Sequence, residues 1–196
     1  MYTDKLLADG HQDWGITGVS LRSSTVRDQL APQDFLYSVN TLTEEPPPPQ
    51  IIGSVLNTLA LREKNQLKAT LDLIAQPSTQ VISLTITEKG YCVSHNGDLD
   101  TKHPDIAHDL ANPRAPRSAP GLLALGLQQR MLAGAGAISI LSCDNLADNG
   151  RVTGQVVQTM AAQLNPELAK WLTDEVSFPP TMVDRIVPQT LSLIHI

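Results

Sequence analysis

Apolar and polar positions along the chain follow two rhythms. Over residues 63–75 the apolar side chains recur at helical spacing, with Leu67, Leu71 and Ile74 on one face, which predicts an amphipathic helix. The next stretch, Val81-Ile-Ser-Leu-Thr-Ile-Thr-Glu-Lys-Gly-Tyr91, begins as an apolar, β-branched run and ends in charge and a glycine. That is how a buried strand reads when it delivers polar groups to the carboxyl edge of a sheet. A second run repeats the design, Ala137-Ile-Ser-Ile-Leu-Ser142 followed by Cys143-Asp-Asn-Leu-Ala-Asp-Asn-Gly150. A third polar cluster, Pro180-Thr-Met-Val-Asp-Arg-Ile-Val-Pro188, follows a helical segment. Ligands of open α/β sheets bind outside the carboxyl ends of the strands, so the three clusters point to one shared crevice.

The remaining elements fit the same plan. Tyr2, Leu6 and Leu7 have helical spacing and Gly10 is a stop signal. Residues 14–22 read as a strand, and Ser23-Ser24-Thr25 offers caps for a short helix through Leu30. Residues 35–42 and 51–59 read as two strands flanking a run of prolines. Asn96-Gly97 marks a turn and residues 104–110 a short helix. Residues 121–132 form a further helix, with Leu122, Leu125 and Leu132 expected to face inward. Helices over residues 152–164 and 166–176 complete the set, Pro166 suiting a first-turn position. Helices alternating with strands predict an α/β fold with a doubly wound, mostly parallel sheet. No internal repeat is visible.

Composition narrows the function classes. The chain has 196 residues, 41% hydrophobic and 17% charged, ordinary for a globular domain with a sizeable core. A formal net charge of -6 argues against nucleic acid or an anionic membrane surface as partner. No apolar run has the length of a membrane span, and the amino terminus lacks the basic-then-apolar layout of a signal peptide, so a cytoplasmic location is expected. Cys92 and Cys143, in or beside apparent strands, read as buried free thiols. The proline run at residues 46–49 reads as a stiff exposed loop between two strands; docking of a partner domain on it is the alternative.

Three stretches resemble one family. Ser83-Leu-Thr-Ile-Thr-Glu-Lys-Gly-Tyr91, Ser142-Cys-Asp-Asn-Leu146 and Phe178-Pro-x-Thr-Met-Val-Asp-Arg-Ile186 resemble, in order, motifs of the polyol-specific long-chain dehydrogenases, which include mannitol 2-dehydrogenase, fructuronate reductase (mannonate oxidoreductase) and tagaturonate reductase. The resemblance runs from Tyr2 to about Pro188. It implies a Rossmann-type dinucleotide-binding domain. Members of the family carry a strand and a glycine-rich turn before the position of Tyr2-Thr3-Asp4. Their catalytic base is a lysine in a Lys-x-x-x-x-Asn-x-x-His motif of a helical carboxyl-terminal domain. No Gly-x-Gly-x-x-Gly precedes Trp14, and Lys64, Lys68, Lys89, Lys102 and Lys170 all fail the base spacing. The expectation is therefore a partial domain over residues 1–190, lacking its first strand and the helical domain. Residues 191–196, Leu-Ser-Leu-Ile-His-Ile, depart from the family and match the translation of a common sequencing-library adapter, so a non-native tail is expected there.

Candidate site residues follow from chemistry and resemblance together. Thr85, Thr87 and Glu88 stand where a strand edge would meet the nicotinamide ribose and carboxamide; alternation with core residues is the bland account of the threonines. Arg22 and Ser23 follow the first visible strand, where a carboxylate selects NAD and an arginine accommodates the 2′-phosphate of NADP. NAD is the family default, and Arg22 makes NADP the alternative. An amide such as that of Asn145 both donates to and accepts from hydroxyls, which suits a polyol, and the resemblance places a substrate-contacting Asn there. Its competing role is a turn capping the helix that starts near Gly150. Asp184 matches a substrate-contacting carboxylate, and Arg185 either pairs with it or faces a sugar acid. His103 and His108, near Asp105 and Asp109, lack the accompanying ligand pattern of a metal site. The resemblance implies an NAD(P)-dependent oxidoreductase of hexitols or hexonates, inactive without the base; the alternative is an inactive nucleotide-binding or structural remnant.

Overall fold

The computed structural model describes residues 2–41 and 43–182. In chain order the elements are α1 (Tyr2–Ala8), β1 (Ile16–Ser20), α2 (Thr25–Leu30), β2 (Tyr37–Val39), β3 (Gln50–Ile52), β4 (Val55–Ala60), α3 (Gln66–Ile74), β5 (Val81–Leu84), α4 (Pro104–Ala111), α5 (Ala119–Ala133), β6 (Ile138–Ser142), α6 (Asn149–Leu164), α7 (Pro166–Glu175) and β7 (Val176–Ser177). Short 3-10 helices lie at Ala31–Gln33 and Glu88–Tyr91. The chain divides into two compact units, Met1–Leu73 and Ile74–Ile196.

In the first unit β1 pairs in parallel with β4, and β2 pairs antiparallel with β3 around the exposed proline loop. The expected strand over residues 51–59 is two strands. Its backbone changes partner at Gly53 and Ser54: Gly53 N donates to Asp4 Oδ1 at 3.2 Å, and Ser54 O accepts from Ile16 N at 2.8 Å. The break divides the stretch, so that residues 50–52 pair with β2 and residues 55–60 with β1. The preceding strand starts at Tyr37 rather than residue 35, because Asp34 and Phe35 adopt left-handed φ values of 52° and 60° in the turn closing the 3-10 helix. Ser24 occupies the N-cap of α2 without a side-chain cap bond.

The second unit holds a parallel three-stranded sheet in the order β5-β6-β7. β6 is central, and Ile138 and Ile140 are buried among Leu123 and Leu127 of α5, Val157 and Ala161 of α6, and Leu168 and Leu172 of α7. β5, in contrast, was expected to be buried and is an edge strand among the described residues: only Leu84 is buried, and Val81 is 42% exposed. α5 also faces the core differently from expectation. Leu122 is buried, but Leu132 is 76% exposed, and the inward face is built from Leu123, Leu127 and Arg130. Those three are spaced i, i+4, i+7, whereas Leu132 lies well round the helix from Leu127. α7 ends at Glu175, a residue short of its expected bound, because Val176 and Ser177 leave the helix to pair with Ile138 and Ser139 as β7.

Two buried charged groups fix how these elements meet. Asp109, at the end of α4, accepts from Arg117 N (2.8 Å), Ser118 N (2.9 Å), Ser118 Oγ (2.6 Å) and His108 Nδ1 (2.9 Å). Ser118 in turn caps α5 by accepting from Gly121 N at 3.0 Å. A Cβ on Gly121 would lie 2.2 Å from Asp109 Oδ2, so the turn requires glycine there. His103 caps α4 through Asp105 N. Arg130 is 1% exposed and has no acidic partner among the described residues. Its five N–H groups reach five backbone carbonyls: Nε to Gly136 at 2.8 Å, Nη1 to Ile74 and Gln76 at 2.8 Å each, Nη2 to Ala135 at 3.1 Å and Ala137 at 3.0 Å. Burial lowers its pKa.

An arginine with all five donors satisfied is replaceable by no other side chain. Arg130→Met keeps much of the volume and leaves the carbonyls without partners. It is expected to destabilise the protein by about 3 kcal/mol or more, read as a lower urea midpoint with an unchanged slope. A midpoint within experimental error of the parent would contradict the structural role assigned to the guanidinium.

Candidate functional site

The parallel register of β5 and β6 places two polar clusters side by side. Leu84 is the partner of Ser142, and Cys143 N donates to Leu84 O at 2.8 Å, so both strands end at the same level. Thr85, Thr87 and Glu88 follow from β5 and all three are exposed, while Ile86 between them is partly buried against the core. The bland expectation of threonines alternating with core residues is thus met by the backbone, and the same alternation turns the polar side chains outward at the carboxyl edge. The chain then tightens into the 3-10 helix, closed by Gly90 N donating to Thr87 O at 2.7 Å.

From β6, residues 143–148 form a loop ending at Asp148, whose φ of 54° is left-handed. Asp144 Oδ1 accepts from Leu146 N at 2.9 Å, an Asx turn that shapes the loop. Asn145 is exposed at its crest, and its side chain has no hydrogen-bond partner among the described residues. The capping alternative is not what the structure shows: α6 begins at Asn149 with Asp148 at the N-cap, and neither Asp144 nor Asn145 caps it.

Beneath the loop lies a buried polar layer that sequence reasoning did not assign. The Tyr91 hydroxyl meets Ser142 Oγ at 2.7 Å, and both residues are buried. Burial first, and the neighbouring Asp144 carboxylate second, push the Tyr91 phenol well above its ordinary pKa. Burial, followed by Asp144, also raises the Cys143 thiol, so this cysteine is held as a neutral thiol. Asp144 Oδ2 is itself buried without a hydrogen-bond partner among the described residues. Asn149, 1% exposed, donates through Nδ2 to Ser142 O (3.2 Å), Asp144 O (3.3 Å), Thr181 O (3.1 Å) and Thr181 Oγ1 (3.0 Å). The only sequence signal for this layer was the density of Asp, Asn and Gly between Ser142 and Gly150. Such residues read equally well as an ordinary turn.

The structure thus brings Thr85, Thr87, Glu88 and Asn145 to one edge. Arg22 and Ser23 lie in the first unit, exposed just beyond the carboxyl end of β1. No carboxylate pairs with Arg22 among the described residues. Glu63, which follows the neighbouring parallel strand β4, is held by Arg27 through Nη2–Oε1 at 2.7 Å and an Nη1–Oε2 contact. Asp184 and Arg185 lie outside the described residues. Cys92 is buried and Cys143 partly so, and neither forms a disulfide among the described residues. A concavity of about 610 Å³ opens at the opposite, amino edge of the sheet, lined by Pro77, Gln80 and Thr173 among others. It holds none of the candidate residues. No helix among the described residues is long and apolar enough to cross a membrane.

Comparison with known proteins bears on the fold and the family. The chain is 43% identical over 190 residues to an uncharacterized oxidoreductase, YeiQ, of Escherichia coli K12, covering 96% of this chain and 39% of that protein. It is 41% identical over 192 residues to D-mannonate oxidoreductase of the same organism, with the same coverage of both. Among solved structures, Pseudomonas fluorescens mannitol 2-dehydrogenase in a ternary complex with NAD and D-mannitol superposes with a TM-score of 0.88 at 40% identity, over 97% of this chain and 39% of that one. The chain thus spans about two fifths of the length of the relatives it matches. Its fold is of the Rossmann type, and residues 2–195 match the family described as the mannitol dehydrogenase Rossmann domain. This chain belongs to that family.

Proposed function

We propose that the chain is the dinucleotide-binding part of an NAD(P)-dependent oxidoreductase that interconverts a hexitol or hexonate with the matching keto sugar or keto acid, mannitol with fructose or mannonate with fructuronate. The observation that carries the reading is the exposed Asn145 amide, set beside Thr85, Thr87 and Glu88 at the shared carboxyl edge of β5 and β6. Hydroxyl, carboxylate and amide groups at such an edge fit the ribose hydroxyls and carboxamide of a nicotinamide nucleotide. That fit, and the NAD bound in the similar mannitol 2-dehydrogenase complex, support NAD as cofactor. A bound nicotinamide supplies hydride transfer; the chain's own residues orient and desolvate. Thr85, Thr87 and Glu88 hold the nicotinamide ribose, and Arg22 and Ser23 meet the adenosine ribose. Asn145 serves cofactor and substrate, hydrogen-bonding the polyol oxygens. Asp184 and Arg185 contribute substrate contacts, Arg185 suiting a sugar acid's carboxylate.

The same reading makes residues 1–190 the native part and residues 191–196 an appended tail, in a cytoplasmic protein with a small-molecule substrate. The family match runs on to residue 195, so the tail assignment rests on the six residues themselves. The catalytic base is not among this chain's lysines, since none of them has the family's Lys-x-x-x-x-Asn-x-x-His spacing. That observation also favours the second reading, an inactive nucleotide-binding or structural remnant. Sequencing the source DNA through both ends separates them: a glycine-rich turn upstream and the lysine motif downstream support the oxidoreductase.

In the complete polypeptide, Asn145→Ala is expected to lower kcat/KM on D-mannitol or D-mannonate by roughly tenfold or more, measured by steady-state kinetics. Unchanged kinetics would overturn the role given to Asn145. Arg22→Glu tests cofactor choice. If Arg22 receives a 2′-phosphate, the variant binds NADPH more weakly with little change toward NADH. Equal effects on both cofactors would remove Arg22 from the ribose site.

A further inference from the structure

Asn149 stands under the candidate edge without touching it, and its hydrogen bonds join two separate pieces of chain. Its orientation is fixed by its neighbours: Oδ1 accepts from Thr181 N at 3.0 Å, whereas Nδ2 faces only acceptors. Through those acceptors the one amide reaches the last residue of β6 (Ser142 O), the loop that carries Asn145 (Asp144 O) and the segment after β7 (Thr181 O and Oγ1). Thr181 Oγ1 also bonds Ser142 O directly. Thr153 Oγ1 donates to Asn149 O at 2.7 Å, anchoring the first turn of α6. Residues 178–180 press against that turn so closely that a Cβ on Gly150 would lie 2.5 Å from Phe178 O and 2.8 Å from Pro180 N. Gly154 likewise admits the Phe178 ring, at 3.2 Å from where its Cβ would be.

We infer that Asn149, with Thr181, is a positioning residue: it locks residues 143–148 against residues 178–181 and so fixes where Asn145 presents its amide. Among the described residues, no side-chain hydrogen bond or ion pair of residues 143–148 other than those of Asn149 reaches residues 178–181. Asp144 Oδ1 shapes the turn internally, and Asp148 pairs with Arg151, a residue of the same local stretch. Two N–H groups shared among three carbonyls and a hydroxyl tie the loop, the end of β6 and Thr181 to one buried amide, and moving the loop away breaks that set of bonds. The inference rests on the reading of Asn145 as a substrate contact, and a double-mutant cycle separates the two.

In the complete polypeptide, Thr181→Val keeps the side-chain volume and the backbone bond to Asn149 Oδ1 while losing the hydroxyl. It is expected to lower kcat/KM on D-mannitol or D-mannonate roughly tenfold, and Asn149→Ala to lower it up to about a hundredfold. With Asn145→Ala already present, either substitution should add less than about twofold, because it acts through Asn145. Additive losses overturn the proposal. If Asn145→Ala alone changes nothing, the reading of Asn145 fails and takes the positioning role with it. Hydrogen exchange supplies a readout independent of turnover: both variants should speed exchange in residues 143–148 and 178–181 together, while α5 stays protected. Loosening confined to residues 178–181 in both variants would overturn the inference even where no activity is measurable. Thr181→Val carries both tests if Asn149→Ala does not fold.

Discussion

A guanidinium taken out of water must find an acceptor for each of its five N–H groups, and this requirement organises the larger half of the molecule. Arg130 satisfies it with carbonyls alone: the end of α3 and the residues after it on one side, and the three residues entering β6 on the other. The turn between α5 and β6 is thereby pinned, with Gly134 and Gly136 at left-handed φ values supplying the backbone path. Without that anchor the entry of β6, and with it the pairing of Ile138 to Ser142 with its neighbours, loses its fixed starting point.

The exit of β6 is held by the same physics. There a buried amide, Asn149, shares its two N–H groups among the carbonyls of Ser142, Asp144 and Thr181 and the Thr181 hydroxyl, again joining separate pieces of main chain. One central strand is thus clamped at both ends by side chains reaching back to main chain. Between the clamps the strand buries Ile138 and Ile140 in the core; beyond the second clamp the chain turns outward and exposes Asn145. Rigid support beneath a small exposed polar group suits a surface that must present hydroxyl-matching atoms at fixed positions. The adjacent β5 brings Thr85, Thr87 and Glu88 to the same level because the parallel register sets Leu84 opposite Ser142.

Much of this was legible in the sequence. Apolar runs breaking into polar clusters located β5 and β6 and the edge they share, and Pro104, Pro166 and Gly97 marked their helix starts and turn where the structure has them. What periodicity missed were choices made by tertiary partners. Residues 51–59 have the character of one strand, but Asp4 and Ile16 draw their backbone to different neighbours. Leu132 carries an inward-facing residue type, but the face of α5 is decided by where Leu123, Leu127 and Arg130 find their contacts. The buried roles of Arg130, Asp109 and Asn149 were hidden for one reason. A polar residue in sequence announces solvent or a site, and only its surroundings show that it serves the backbone.

The central claim is that the carboxyl edge of β5 and β6 receives the nicotinamide end of a dinucleotide. A crystal structure of the complete polypeptide with NAD tests it most directly. The account predicts the nicotinamide ribose and carboxamide within hydrogen-bonding distance of Thr85, Thr87 or Glu88, with the Asn145 amide facing the nicotinamide ring. A dinucleotide seated elsewhere, for example in the concavity at the amino edge lined by Pro77 and Gln80, would contradict it.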